Sequence, residues 1–330
     1  MMHCDVLRVD PFHPDPDLIV RAARNLQAGG LVAFPTETVY GLGANALAED
    51  AVARIFAAKG RPATNPLIVH VASIADAQAL SADWPDSAEC LAARFWPGPL
   101  TLVLPKASCV PDLVTAGGPT VALRMPAHPV ALALLRASGL PLAAPSANRA
   151  TELSPTAAEH VLRGLAERID LLLDAGPTTG GLESTVLDVT TDPPRLLRPG
   201  LATLAALEAV IGSIERTTRE ASAQPARSPG QMRRHYAPRT ALEVASHSRR
   251  RVEELRQQGL RIGWLTHLDT GDGPGDLGIL LPADPVSYSA QLYAALHRLD
   301  DAGLDRIVVE RPPAGDDWLA VHDRLRRAAE

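Results

Sequence analysis

Side chains that suit anion binding recur in this sequence where predicted strands or helices end. Lys59 ends a predicted helix at 49–59 and Arg61 comes just after it, while Ser146 ends an apolar strand and Asn148 follows. Cationic, hydroxyl and amide groups that meet at one edge of a sheet can bind an anionic, hydroxyl-rich ligand. We therefore expect these loops to form a binding site for a ligand of that kind.

Further residues at strand ends are candidates for the same site. They are Thr36, Asn65, His70, Thr120, Arg124, Ser154, Ser184 and Arg198. Arg124 lies within an apolar strand at 120–126, where a buried charge needs a partner. Thr120, four residues earlier, lies on the same face of that strand.

Taken singly, these signals have structural alternatives. Lys59 and Arg61 could complement the helix dipole and stay solvated. A Ser-Ala-Asn segment between a strand and a helix is also typical of a turn or cap. His70 could be a core histidine with satisfied hydrogen bonds. The combination of residues, rather than any one of them, predicts a site.

Several common motifs are absent or lack their context. The sequence contains no GxxxxGK[ST], HExxH or GxSxG pattern. Gly273, Gly275 and Gly278 match GxGxxG, but the ILLP segment after them predicts a strand and not a phosphate-binding helix. The ten histidines lack metal-ligand spacing, which argues against a metal cage built by the protein.

The elements that must position the candidate residues alternate between strands and helices, which is typical of an α/β domain. Strands are predicted at 31–34, 67–71, 101–105, 120–126, 140–146, 170–176 and 184–190. Helices are predicted near 18–26, 49–59, 73–80, 87–95, 128–138, 156–167 and 202–211. Between 34 and 49 we expect a loop that contains glycines. The first domain is predicted to span 1–212.

Residues 213–238 are predicted to link this domain to a second, smaller α/β domain at 239–330. The linker has no periodic apolar pattern up to residue 229. Beyond it, strands are predicted near 241–245, 261–265, 277–281 and 306–310, alternating with helices near 248–258, 288–302 and 317–328.

Composition limits the classes of protein that the chain can represent. Its 330 residues carry a net charge of −6, whereas proteins that bind nucleic acid through phosphates usually present a basic field. Its three cysteines are far apart and form no CxxC, which argues against a zinc ribbon or a disulfide framework. With no apolar run long enough to span a bilayer and no secretory signal, we expect a cytoplasmic protein without membrane contact.

The motifs, in their order, resemble one family: the YrdC-like threonylcarbamoyl-adenylate synthases in their long, two-domain form. The resemblance covers about residues 17–200 and rests on PTETVYGLG, KGR followed by NPLIVH, FWPGPLT, SAN and ESTV. The block SPGQMRRHYAP at 228–238 is similar to the family's interdomain motif, although it departs from it between Gln231 and Arg233. The resemblance implies a twisted, open mixed sheet with flanking helices and a smaller Rossmann-like α/β domain.

Position by position, the resemblance implies three groups of site residues. The catalytic group is Lys59, Arg61, Ser146 and Asn148. The threonine-binding group is Thr36, His70, Arg124, Ala144 and Ser184, with Arg124 as the partner of the substrate carboxylate. The ATP-binding group is Arg61, Asn65, Thr120, Ser146, Ser154, Arg198 and Tyr236.

The implied reaction starts from L-threonine, bicarbonate and ATP. A carbamate oxygen attacks the α-phosphate, and pyrophosphate leaves. The product, threonylcarbamoyl-AMP, passes to tRNA-modifying threonylcarbamoyltransferase proteins. Mg²⁺ carried by ATP is the one cofactor implied, with no organic cofactor and no metal-binding side chain. Such chemistry needs fixed positive charge rather than a covalent nucleophile.

Two other functions fit parts of the pattern. An RNA-binding module would use a basic face, which the net charge of −6 and the threonine-pocket residues disfavour. A carbamoyl-adenylate-forming enzyme, as in hydrogenase-maturation proteins, would carry cysteine pairs that are absent from this sequence.

The linker also suggests a mechanical role. A glycine hinge at Gly230 followed by a basic, aromatic stretch through Tyr236 is compatible with a lid over the nucleotide. The alternative is a solvated tether between independent domains.

Overall fold

A computed structural model of the chain describes residues 4–216, 235–269 and 274–330. These residues form a large mixed sheet and a smaller parallel sheet, with helices packed around both. The predicted fold class, a mixed-sheet α/β domain followed by a smaller α/β domain, is therefore confirmed.

The elements up to residue 216 build the large sheet and its helices. The strands are β1 (Asp5–Arg8), β2 (Val32–Phe34), β3 (Gly41–Asn45), β4 (Ile68–His70), β5 (Leu100–Pro105), β6 (Thr120–Arg124), β7 (Leu142–Ala143), β8 (Leu171–Asp174), β9 (Thr185–Asp188), β10 (Arg195–Arg198) and β11 (Glu215–Arg216). The helices are α1 (Pro16–Gln27), α2 (Glu49–Lys59), α3 (Ile74–Ala79), α4 (Asp86–Phe95), α5 (Asp112–Thr115), α6 (Pro129–Ser138), α7 (Ala158–Leu165) and α8 (Leu204–Ile211).

Strand order brings distant loops of the sequence together. The order is β1-β8-β2-β3-β7-β4-β6-β5-β9-β10-β11. At its centre β4 runs parallel to β6, with His70 opposite Arg124, while β7 runs antiparallel to β4. The ends of β4 and β6 and the start of β9 consequently lie at one edge of the sheet. The end of β7 lies beside the start of β4, which has only three residues, so the loop after β7 also comes close to His70 and Arg124.

Helix α2 positions the Lys59–Arg61 segment and has the predicted bounds. Gly60 follows it in the left-handed region at φ 61°, and its N–H returns to the carbonyls of Phe56 and Ala57. Glycine adopts this conformation without steric cost, so the helix ends sharply there. Lys59 is therefore fixed at the last helical residue.

The prediction of a loop between 34 and 49 is wrong in part, because Gly41–Asn45 form β3. This strand pairs antiparallel with β2, Gly43 opposite Val32. A Cβ atom on Gly43 would lie 2.7 Å from Cε1 of Phe34, so a larger residue would collide with that ring. Four further elements, β1, β10, α5 and β11, were not predicted from the sequence, and β11 lies within the predicted linker.

The second half forms the smaller sheet and its helices. Its elements are β12 (Ala241–Ala245), α9 (Ser248–Gln257), β13 (Ile262–Thr266), β14 (Leu277–Leu280), α10 (Pro285–Asp300), β15 (Arg306–Glu310), a 3₁₀ turn (Asp316–Trp318) and α11 (Leu319–Ala329). The strands are all parallel, in the order β12-β15-β13-β14. The strand predicted after the GxGxxG match is β14; Gly273 lies outside the described residues.

The two halves share an apolar core. Val39, Leu153 and Leu182 of the first half pack in one buried cluster with residues of α10 and α11. Gly181, at φ +72°, lies so close to α10 that a Cβ there would collide with the carbonyl oxygens of Ser289 and Ala290. The loop before β9 is therefore held against the second domain.

Most of the predicted linker, residues 217–234 including Gly230, lies outside the described residues. The predicted domain limits and the lid therefore stay predictions. Among the described residues, no helix combines the length and apolar character needed to cross a membrane.

Candidate functional site

A cavity of about 40 Å³ lies beside the short strand β4, and predicted site residues line it. Nine of the fourteen do so: Thr36, Arg61, His70, Arg124, Ala144, Ser146, Ser184, Arg198 and Tyr236. These residues come from separate segments of the chain, which the strand order, helix α2 and contacts with the second domain bring together.

Arg124 and His70 end neighbouring strands and form one wall. Arg124 is 3% exposed; its Nη2 donates to Glu37 Oε1 at 2.6 Å and its Nε to the Gly98 carbonyl at 3.2 Å. Burial and the adjacent Arg124 charge lower the pKa of His70 to about 3, so the ring is neutral at physiological pH. The Nδ1 of His70 has no hydrogen-bond partner among the described residues. That nitrogen is therefore available to a ligand in the cavity.

Lys59 and Arg61 are buried, so the alternative interpretation of solvated helix-end charges does not hold. Lys59 donates to the Ser146 carbonyl at 2.5 Å and to the Asn148 carbonyl. Burial and the neighbouring Arg61 guanidinium lower the pKa of Lys59 below its ordinary value. Burial lowers the pKa of Arg61 to about 10, which leaves it charged at neutral pH.

The Lys59 contacts hold the Ser146–Asn148 segment in place. Asn148 Oδ1 lies 3.4 Å from Lys59 Nζ, and its Nδ2 donates to the carbonyls of Arg149 and Glu152. Asn148 lines a second cavity, of about 270 Å³, between the two domains. The four predicted catalytic residues thus form one cluster, although Lys59 and Asn148 are not among the residues that line the first cavity.

Asn65 contributes its backbone to the same cluster. Its carbonyl accepts from Nε of Arg61 at 3.1 Å, and the Pro66 carbonyl accepts from Nη2 at 2.9 Å. The Arg61 guanidinium is therefore oriented by the loop that follows it.

Glu183 organises the side of the cavity next to β9. Its carboxylate accepts from Ser154 Oγ at 2.5 Å and from Arg324 Nε at 2.7 Å. Burial raises the pKa of Glu183, but the charges of Arg324 and Arg198 outweigh burial and hold it below its ordinary value. Ser154 is therefore linked to the site through Glu183, and the carboxylate is ionised at neutral pH.

Arg198 and Tyr236 complete this side. Arg198 donates to the carbonyl and hydroxyl of Ser184, at 2.9 and 3.1 Å, and to the Tyr236 hydroxyl at 3.4 Å. Tyr236 is 1% exposed, and its backbone is left-handed at φ 60°. A tyrosine holds that conformation only where its surroundings impose it.

Thr120 is the predicted site residue that the structure does not bring to the cavity. It begins β6, opposite Pro105, and Arg124 ends the same strand. Four residues of strand separate the two by about 13 Å. Sharing a face of the strand does not place Thr120 at the site, because the cavity lies at the other end.

The cavity is electropositive and has little free carboxylate. Arg61, Arg124 and Arg198 line it, while Glu183, the one carboxylate among the described residues that line it, is paired with Arg324. Among the described residues, no group of three or more His, Cys, Asp or Glu side chains could hold a metal ion.

Sequence reasoning missed Glu37, Glu183 and Arg324. Glu37 and Glu183 belong to quoted motifs, yet a carboxylate has no obvious role in a site for an anion. Arg324 had a usable signal: it shares the buried face of α11 with Val321, Leu325 and Ala328. A charge on an apolar helix face needs a buried partner.

The fold and cavity define a class of protein: a mixed-sheet α/β domain with an electropositive cavity suited to a small anionic molecule. Comparison with known families narrows this class. Residues 24–200 match the model described as telomere recombination, which groups Sua5, YciO and YrdC. Residues 202–330 match the C-terminal domain of threonylcarbamoyl-AMP synthase.

Whole-chain relatives agree with both matches. The threonylcarbamoyl-AMP synthase of Pyrococcus abyssi is 47% identical, with 93% of each chain covered. That of Bacillus subtilis is 46% identical, over 96% of this chain and 93% of its own. The crystal structure of P. abyssi Sua5 complexed with L-threonine has a TM-score of 0.92 and 43% identity, covering 98% of this chain and 97% of that one.

The chain belongs to the threonylcarbamoyl-AMP synthase family, in the form with a C-terminal domain. It is an enzyme of the nucleotidyltransferase type, which makes an adenylate from ATP.

Proposed function

We propose that the chain is an L-threonylcarbamoyladenylate synthase that converts L-threonine, bicarbonate and ATP to threonylcarbamoyl-AMP and pyrophosphate. The observation that carries this proposal is the convergence of nine predicted substrate-binding residues on one electropositive cavity. The P. abyssi relative, whose structure contains L-threonine, supports the choice of amino acid.

The threonine end of the cavity is formed by Arg124, His70, Thr36, Ala144 and Ser184. Arg124 uses Nε and one N–H of Nη2 within the protein, so its remaining N–H groups can bind the substrate carboxylate. The neutral His70 Nδ1 can bond the substrate hydroxyl or ammonium group. A hydroxyl-bearing amino acid therefore satisfies the site better than an apolar one of the same shape.

The Lys59 cluster serves the phosphates. Threonine and bicarbonate combine to a carbamate with loss of water; a carbamate oxygen bonds to the α-phosphorus, and the bond to the β-phosphate oxygen breaks to release pyrophosphate. Arg61 and Ser146 stabilise the charge on the reacting phosphate, while Lys59 and Asn148 fix the loop that carries Ser146.

ATP binds toward Arg198, Tyr236, Ser154 and Asn65. Mg²⁺ enters with the nucleotide, held by its phosphates and by water, as hard divalent ions commonly are. Thr120 has the weakest support as a nucleotide contact because of its place on β6.

The product is a mixed anhydride that is activated for transfer of its threonylcarbamoyl group. We propose that it passes to tRNA-modifying threonylcarbamoyltransferase proteins, which complete the threonylcarbamoyladenosine modification. Stable binding of RNA by this chain is not part of the proposal, since its net charge is −6.

Mass spectrometry of the product tests the proposal. The full chain should convert ATP, Mg²⁺, L-threonine and ¹³C-bicarbonate to threonylcarbamoyl-AMP that carries one ¹³C atom. Arg94→Ala, which removes an exposed helix-end arginine that does not line the cavity, should leave the yield unchanged. Labelled carbamoyl-adenylate formed from ATP and ¹³C-carbamoyl phosphate in the absence of threonine would instead support the carbamoyl-adenylate alternative.

A further inference from the structure

A buried ion pair joins the second domain to the cavity. Arg324, on α11, is 1% exposed, and its Nε lies 2.7 Å from Oε2 of Glu183, which lines the cavity. Both Glu183 oxygens also lie 3.3 Å from the hydroxyl of Tyr293 on α10. Two helices of the second domain therefore fix a carboxylate that belongs to the first.

Arg324 also contacts Tyr236. Its guanidinium carbon lies 5.0 Å from the centre of the Tyr236 ring, within the range of a cation–π contact. The backbone beside Tyr236 is held from both domains: His235 N–H donates to the Arg327 carbonyl on α11, and Ala237 N–H donates to the Thr151 carbonyl. These contacts account for the left-handed backbone of Tyr236, which an unsupported tyrosine would avoid.

The pair is not explained by stability alone. The free energy needed to remove two charges from water offsets much of their mutual attraction. An apolar pair of similar volume is therefore often at least as stable. Arg324 also keeps a buried Nη2 without a partner among the described residues, a further cost. Arg324 contacts the Glu183 carboxylate and the Tyr236 ring, and both of these residues line the cavity.

We infer that Arg324 is a positioning residue for the nucleotide side of the cavity, through which the second domain sets the geometry of Glu183 and Tyr236. Arg324 is not among the lining residues and acts only through those two groups. Glu183 in turn orients Ser154, and Tyr236 bonds Arg198. The inference rests on the proposed function, in which Ser154, Arg198 and Tyr236 contact ATP.

The first test is Arg324→Ala in the full chain. Its Kd for ATP, measured by calorimetry, and its KM for ATP should both rise about tenfold, the loss expected for one aromatic contact with a base. KM for threonine should change less, because Arg124 and His70 do not contact Arg324. The control Arg326→Ala removes an arginine of the same helix that is exposed and also pairs with Asp323; it should leave both constants unchanged.

The double variant Glu183→Gln/Arg324→Ala separates positioning from charge neutralisation. It no longer buries an unpaired carboxylate, so its melting temperature should recover relative to Arg324→Ala. Its KM for ATP should stay raised, because the Tyr236 ring still lacks its support. Recovery of KM together with melting temperature would overturn the inference.

Arg324→Lys covers the case in which Arg324→Ala does not fold. Lysine keeps the charge but lacks the planar fork, so KM for ATP should still rise severalfold. An unchanged KM and Kd for ATP in a folded Arg324→Lys or Arg324→Ala chain would contradict the inference. Absence of threonine-dependent turnover in the wild type would contradict the proposed function instead, and the calorimetric comparison would still test Arg324.

Discussion

Arg61 combines two properties, burial and proximity to the proposed reacting phosphate, that predict separate effects of its removal. Arg61→Ala should lower turnover about a hundredfold, the scale for losing one electrostatic stabiliser of a transition state. A solvated loop arginine would add little to stability, but Arg61 is 8% exposed and donates to two loop carbonyls. The free energy of unfolding should therefore also fall, by about 1–3 kcal/mol.

Kinetics at saturating substrate and chemical denaturation measure the two effects of Arg61→Ala. Arg94→Ala is the matched control and should change neither. Turnover that falls only in proportion to the folded fraction would mean that Arg61 is structural.

Glu37 fixes the guanidinium that we propose for the threonine carboxylate. Its second oxygen accepts from the Ala127 N–H at 3.0 Å, so the carboxylate bridges Arg124 to the backbone. Glu37→Gln keeps the size of the side chain but replaces a charge-assisted bond with a weaker one. KM for threonine should rise about fivefold, equivalent to about 1 kcal/mol, and KM for ATP should change less.

The exposed Glu167→Gln serves as the control for Glu37→Gln. Steady-state titrations of each substrate give both constants. A lower KM for threonine in Glu37→Gln would mean that Glu37 competes with the substrate instead of orienting Arg124.

At the scale of elements, the sequence predicted helices and strands correctly where neighbouring residues determine the backbone conformation. Helix α2 ends at the predicted residue because Gly60 supplies the left-handed conformation that stops it. Strand β3 could not be predicted in this way: two of its five residues are glycines, and its pairing with β2 and the fit of Phe34 over Gly43 are tertiary effects.

The sequence predicted which types of side chain form the site, but not which other side chains pair with them. Strand ends and family motifs identified the residues that line the cavity. The links from Arg124 to Glu37 and from Glu183 to Arg324 span 87 and 141 residues of sequence, so no local pattern indicates them. Thr120 was misplaced because strand periodicity gives a face but not the end at which a site lies.

The contact between α7 and α10 predicts a pH dependence of stability. His160 and His297 stack with ring centres 3.8 Å apart, and His297 Nε2 lies 3.1 Å from the Ser154 carbonyl. Burial lowers the pKa of both rings, that of His160 to about 3. In the unfolded chain each histidine takes up its proton near pH 6.5. Their contribution to stability is therefore complete above pH 6.5 and is lost as the pH falls toward 3.

His160→Asn/His297→Gln replaces the bonding ring nitrogens with amides that do not titrate. Between pH 7.5 and 5 the wild type should lose more free energy of unfolding than this variant, as measured by urea denaturation. Equal losses would show that the two rings titrate alike in the folded and unfolded chains. His70 and His235 are present in both proteins, so their titration cancels in the comparison.

At the scale of the whole molecule, the second domain is part of how the site is built. One apolar cluster includes Val39, Leu182 and Tyr236 together with α10 and α11, and Gly181 lies against α10. The chain carries a net charge of −6, yet three arginines line its cavity. This contrast suits an enzyme that binds small anions and does not retain nucleic acid.

The central claim, a site that joins threonine to the adenylyl group of ATP, is tested most directly by amino-acid-dependent pyrophosphate release. The full chain is incubated with ATP, Mg²⁺ and bicarbonate, and threonine, serine or valine is added in turn. Threonine should give the fastest release. Serine should be the closest competitor, having lost a methyl contact that contributes about 1 kcal/mol. Valine should be nearly inactive because it leaves the polar groups of the pocket unpaired. Equal release with valine and threonine, or release that does not depend on the amino acid, would contradict the account.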